Sequence, residues 1–244
     1  MSKLSNNCPI PAWLLLSLCL NALTWSACPL ESETETANPQ QPNLYIFGVD
    51  LSKSFGYERL SPQYIRSFCQ AVGKYSNAAA VICIYRIGAP SNDFSLKCEL
   101  EEMPIQDENA LLSKQAENTQ KIIEARAIRE KAIETFVADY AKMIANHEGD
   151  LQTDFQSFLD KSLLLVTEYS EYTPFVFVFS DAKHDLPSGT SIKLPAKEQT
   201  SKITWSGCGL KNTEIIEALK IRLYESPSGY LKTITNHLSK KEGQ

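Results

Sequence analysis

Several signatures of enzymes and nucleic-acid-binding proteins are missing from this chain. Its three histidines and seven cysteines are scattered. No CxxC pair and no His/Cys cluster spells out a tetrahedral zinc site. There is no G-x-x-x-x-G-K-[ST] loop to cradle a nucleotide phosphate and no G-x-S-x-G elbow to expose a nucleophilic serine. A formal net charge of −5, with no Lys/Arg-rich run and no RNA-binding aromatic signature, argues against nucleic acid as a partner. The apolar stretch Ala12–Trp25 is broken by Ser17, Asn21 and Thr24, and it is shorter than the about 20 residues a membrane-spanning helix needs.

That short apolar stretch, preceded by Lys3 as the lone charge before Glu31, reads as an export signal covering residues 1–27. Ser26-Ala27-Cys28 resembles the end of a bacterial lipobox, although Trp25 stands where a small aliphatic residue is usual. The resemblance implies lipidation of Cys28, a membrane attachment through that lipid, and a place in the bacterial cell envelope. Plain secretion and an uncleaved anchor are the alternatives. Residues 28–42 are rich in Ser, Thr, Glu, Asn, Gln and Pro, with almost nothing to bury, and are expected to form a flexible tether. About 200 residues then remain, enough for one well-buried domain over 43–240.

Within that domain, Leu44–Val49, Ala78–Tyr85 and Phe175–Phe179 are continuous apolar runs of the kind found in parallel strands. Ile203-Thr204-Trp205 is a weaker run, followed by Ser206-Gly207-Cys208-Gly209, and Ser95–Leu100 fits a short edge strand. Helical patterns lie between them. Ser61-Pro62 is a helix start, Thr153 opens a second helix, Asn212 caps a third, and Ser226-Pro227 starts the last. Strands alternating with helices predict an α/β domain with a doubly wound, mainly parallel, Rossmann-like sheet. Residues 108–146 contain no Gly or Pro and predict one long helix. Its stripe of Ile122, Ile133, Phe136, Val137, Tyr140, Met143 and Ile144 is expected to dock on the sheet, while its more polar first half projects into solvent. Residues 182–201 read as a loop. Cys69, Cys83, Cys98 and Cys208 read as buried free thiols, one disulfide among them being the alternative.

Asp50-Leu51-Ser52-Lys53-Ser54 follows the first apolar run directly, so one carboxylate and two hydroxyls sit at the mouth of a sheet. Hard oxygens of this kind suit Mg²⁺, Mn²⁺ or Ca²⁺. Asp181 ends another apolar run, and Thr153 offers a hydroxyl just before a helix. Thr153 with Gln156 also fits a capping box.

Asp50, Ser52, Ser54, Thr153 and Asp181 together resemble the metal-ion-dependent adhesion site of the von Willebrand factor A domain: D-x-S-x-S, then a distant Thr, then an Asp after a hydrophobic strand. The resemblance spans about residues 43–240. It implies that Ser52 and Ser54 ligate a Mg²⁺, Mn²⁺ or Ca²⁺ ion directly, Thr153 directly or through water, and Asp50 and Asp181 mainly through bound waters. An ion so held is under-neutralised and attracts a carboxylate supplied by a protein partner, so the implied role is cation-dependent protein–protein interaction or adhesion rather than catalysis. Two other roles compete with it. One is a scaffold subunit of an envelope complex that binds through the long helix; the other is a phosphate-ester enzyme using Asp50 as a nucleophile.

Overall fold

The computed structural model describes residues 41–52, 60–88, 95–105, 111–146, 153–182 and 191–241. The signal, Cys28 and nearly all of the tether lie outside these residues. Six strands form one sheet: β1 (Asn43–Asp50), β2 (Ala80–Ile87), β3 (Ser95–Leu100), β4 (Thr173–Phe179), β5 (Thr204–Cys208) and β6 (Arg222–Tyr224). The helices are α1 (Pro62–Tyr75), α2 (Leu112–Ala145), α3 (Phe155–Glu168), α4 (Lys197–Thr200), α5 (Thr213–Leu219) and α6 (Pro227–Lys241). The strand order is β3-β2-β1-β4-β5-β6, with every pair parallel except β2–β3. The expected mainly parallel α/β sheet is therefore present.

Although Leu44–Val49 of β1 and the run 174–179 of β4 are apolar, their two faces differ. Tyr45, Phe47 and Val49, with Phe175, Phe177 and Phe179, point into a core shared with α1, α2 and α6. Leu44, Ile46, Val176 and Val178 point into the opposite core, with α3 and α5. The parallel register sets Tyr45 beside Phe175 and Phe47 beside Phe177. Tyr45 and Phe175 stack with ring centroids 5.3 Å apart, and Tyr230 of α6 stacks on Phe177 at 3.9 Å. Such pairs contribute about 0.5–1.5 kcal/mol each beyond the area they bury. On the other face Gly48 leaves room for Phe158 of α3, whose ring would stand 2.6 Å from a Cβ at that position.

The expected helix starts hold at Ser61, whose hydroxyl accepts from the Tyr64 N–H at 3.2 Å, and at Asn212, whose side chain accepts from the Ile215 N–H at 3.2 Å. At α3 the cap is Asp154 rather than Thr153. Its carboxylate accepts from the Ser157 N–H at 3.1 Å and the Ser157 hydroxyl at 2.6 Å. Gln156 is not part of a capping box either: its side-chain carbonyl accepts from the Lys193 N–H at 2.7 Å. The strand expected at Ile203-Thr204-Trp205 instead begins at Thr204 and continues through Ser206, Gly207 and Cys208, Gly207 fitting a narrow gap against Leu210 and Ile221. Two short elements were not anticipated: β6, whose pattern is too brief for periodicity to show, and the single turn α4 inside the expected 182–201 loop.

α2 runs unbroken for 34 residues, about 50 Å at the usual helical rise. Ile133, Phe136, Val137 and Tyr140 are buried as expected, Met143 and Ile144 pack at the margin, and Ile122 is only half-buried. Arg129, which looked like part of a solvated face, is buried. Its guanidinium donates to the carbonyls of Glu101 at 2.8 Å, Ser76 at 2.6 Å and Ala78 at 2.7 Å. These carbonyls follow α1 and flank the start of β2 and the end of β3, at the amino-terminal edge of β1 and β2. Tyr140 lies toward the other edge, where its hydroxyl donates to the Leu60 carbonyl at 2.9 Å. The part of α2 before Arg129 therefore runs on past the amino-terminal edge, leaving Leu111, Leu112, Ile123 and Ile128 exposed.

All four described cysteines, Cys69, Cys83, Cys98 and Cys208, are buried free thiols.

Candidate cation site

β1 connects through α1 to β2 on one side, whereas β4 enters on the other side of β1 and leads on to β5. The strand order thus reverses between β1 and β4, and a cleft outside the carboxyl ends of such strands is where open α/β sheets bind ligands. Asp50 is the last residue of β1. Ser180 and Asp181 follow the last residue of β4. Val49 pairs with Phe179, so Asp50 and Ser180 come next across the two strands.

The Asp50 carboxylate is fully buried and held at both oxygens. Oδ1 accepts from the Ser52 N–H at 2.8 Å, and Oδ2 accepts from the Ser180 hydroxyl at 2.7 Å. The Ser180 hydroxyl oxygen in turn accepts from the Ala182 N–H at 2.9 Å. Ala182 takes a φ of 56°, a left-handed conformation uncommon outside glycine, and this turns the chain sharply after Asp181. The Asp181 carbonyl accepts from the Lys211 N–H at 3.2 Å, tying the turn to the segment after β5.

Burial raises the Asp50 pKa above its ordinary value. The hydrogen bonds from Ser180 and Ser52 oppose that rise, and the nearby Asp181 charge adds to it. Two carboxylates close enough to repel one another at a buried strand edge form a site that gains from positive charge.

Of the five residues named from sequence, Asp50, Ser52 and Asp181 are brought together here. Thr153 is also buried, at the start of α3. α3 leads into the amino-terminal end of β4 and packs Phe158 against Gly48, so its first residues lie toward the carboxyl edge. Thr153 makes no side-chain hydrogen bond among the described residues, in keeping with a hydroxyl not used as a helix cap. Ser54 lies outside the described residues. Ser180 also belongs to this cluster; its only sign in the sequence is its position between an apolar run and Asp181, and the β1–β4 pairing places it across from Asp50.

Among the described residues no three His, Cys, Asp or Glu side chains cluster as a metal cage. The donors that are brought together, the Asp50 and Asp181 carboxylates with the Ser52 hydroxyl, are hard oxygens. They fit Mg²⁺, Mn²⁺ or Ca²⁺ and do not fit a thiolate- or imidazole-seeking metal.

No family model and no curated protein matches this chain. Among solved structures, it is similar to proximal thread matrix protein 1 from the mussel byssus, at 14% identity and a TM-score of 0.42, covering 82% of this chain and 45% of that one. It is similar to a von Willebrand factor type A protein from Catenulispora acidiphila, at 10% identity and a TM-score of 0.42, covering 82% and 42%. It is similar also to the manganese-loaded TRAP protein of Plasmodium vivax, at 10% identity and a TM-score of 0.40, covering 80% and 72%. The chain spans less than half the length of the first two.

Proposed function

We propose that this chain is a von Willebrand factor A-type binding module, exported and tethered to the bacterial envelope through Cys28, which recognises a protein partner through a divalent cation. The observation that carries this reading is the meeting of Asp50 and Asp181 at the switch point between β1 and β4, with Ser52 hydrogen-bonded into the same cluster.

In this reading Ser52 and Ser54 offer hydroxyls to the ion, Thr153 assists, and Asp50 and Asp181 hold its waters. Mg²⁺ retains several waters and demands near-octahedral oxygen geometry. Hydroxyl ligands leave most of its charge unneutralised. A carboxylate from the partner is then the natural last ligand, and no bond-making chemistry is asked of the protein.

Calorimetric titration with Mg²⁺ or Mn²⁺ tests the site, and Asp181→Ala and Ser52→Ala should each abolish the binding heat while leaving the domain folded. Partner capture should disappear with EDTA and return with Mg²⁺. Cation-independent capture that survives both substitutions would sink the reading. The tether has its own test: Cys28→Ala should move the protein from the membrane fraction to the soluble one, and unchanged fractionation would exclude lipid attachment.

A scaffold role is favoured by a different observation, the exposed Leu111 just before α2 and Leu112, Ile123 and Ile128 on its far part. A pull-down comparing deletion of residues 108–120 with Asp181→Ala separates the two. Loss only with the deletion assigns partner binding to α2.

A further inference from the structure

We propose that the outer edge of β3 is a two-fold interface at which two copies of this chain join their sheets, β3 pairing antiparallel with itself about Cys98. β3 ends the sheet, so its outward N–H and C=O groups face no strand among the described residues. Open edges of this kind template pairing with a further strand unless the side chains oppose it.

The side chains of β3 select that strand. Ser95, Lys97 and Glu99 are exposed or half-exposed on one face, while Cys98 and Leu100 are buried on the face covered by α2, with Leu96 beside them. A two-fold normal to the sheet at Cys98 sets Lys97 opposite Glu99 of the second copy, Glu99 opposite its Lys97, and Leu96 opposite its Leu100. Opposite charges directly across a strand pair stabilise it and like charges oppose it. Moving the axis to residue 97 sets Lys97 against its own copy, and moving it to residue 99 does the same to Glu99. A single lysine on this edge would repel a second copy; the Lys-x-Glu alternation instead favours the register centred on Cys98, which pairs both charges, over those centred on residues 97 and 99.

Within one chain Lys97 and Glu99 are bonded to each other at 2.5 Å on an exposed surface. Exposed pairs contribute about 0–1 kcal/mol, so exchanging that neighbour for its counterpart across the interface costs little. The adjoining groove also calls for cover. A cleft of about 510 Å³ opens between the β3 edge and the outer flank of α2, its apolar lining of Leu96, Cys98, Ile128, Ala132 and Phe136 interleaved with polar and charged side chains of β3 and α2. Ile128 is 61% exposed there. The same two-fold brings the α2 flank of the second copy alongside this cleft. It also turns the two β1–β4 clefts to opposite ends of the joined sheet.

Sedimentation of the full-length chain in EDTA tests the proposal without involving the cation site. The wild-type chain is expected to show a dimer. Lys97→Glu and Glu99→Lys, each placing like charges opposite one another, should each shift the mass toward monomer. The double substitution restores opposite charges and should restore the dimer. A monomeric wild type, single variants that remain dimeric, or a folded double variant that stays monomeric would overturn the proposal. A second measurement needs no variant: amide exchange over residues 95–100 should slow as protein concentration rises, and concentration-independent exchange would equally overturn it.

Discussion

The hydroxyl of Ser180 donates to Oδ2 of Asp50 at 2.7 Å across the β1–β4 boundary and accepts from the Ala182 N–H at 2.9 Å. One side chain therefore orients the carboxylate of β1 and the turn that presents Asp181. Ser180→Ala removes both bonds and leaves a buried carboxylate oxygen and a buried N–H without partners. Such losses cost about 1–3 kcal/mol per group. Urea unfolding should show destabilisation of about 2–6 kcal/mol for the two groups together, and Ser180→Thr, which keeps the hydroxyl, should recover most of it.

The pH dependence of the cation-free protein follows from Asp50. Its folded pKa lies above its ordinary value, chiefly through burial. A carboxyl raised in this way favours the folded state in its protonated form. Its contribution is complete below the ordinary carboxylate range and is lost as pH rises through the folded pKa. Melting in EDTA between pH 4 and 8 should therefore show Asp50→Asn gaining on the wild type as pH rises. Added Mg²⁺ should raise the melting temperature of the wild type and not of the variant. A constant gap across the range would rule out a buried, raised Asp50.

Gly48 tests the packing beneath the site. A Cβ there would stand 2.6 Å from the Phe158 ring and 2.9 Å from Ile87. Overpacking of this kind costs about 1–3 kcal/mol, so Gly48→Ala should lower the denaturation midpoint. Adding Phe158→Leu, which removes the clashing ring edge, should cost less in the Gly48→Ala background than in the wild type, a coupling measurable in a double-mutant cycle.

Arg129 ties α2 to the amino-terminal edge through three short bonds to the carbonyls of Glu101, Ser76 and Ala78. Hydrogen bonds involving a charged group contribute about 1.5–3 kcal/mol, and a planar fork is not reproduced by an ammonium. Arg129→Met and Arg129→Lys should both destabilise the domain by several kcal/mol in chemical denaturation. Nearly full stability in the lysine variant would show that charge alone suffices.

Much of the fold was legible because its signals are local. The runs Leu44–Val49 and Phe175–Phe179 carried their strand character in their own side chains, and Ser61 and Asn212 capped the helices that followed them. Asp50 and Asp181 were recognisable as residues at strand ends. Arg129 was not legible, because a charged residue on a polar helix looks the same whether water or three carbonyls receive its protons. Thr153 and Asp154 are both cap candidates by residue type, yet Asp154 accepts the helix bonds; adjacent side-chain oxygens compete as acceptors for the same N–H groups and only geometry separates them.

The sequence by itself determined the alternation of strands and helices, the unbroken α2 and the chemical character of the strand ends, all properties of a few neighbouring residues. The tertiary structure decided that β4 lies beside β1. Strand order rests on contacts between residues more than a hundred positions apart and leaves no periodic trace in the chain. That one adjacency brings Asp181 next to Asp50, gives Ser180 its role, and turns two separate carboxylates into one candidate cation site.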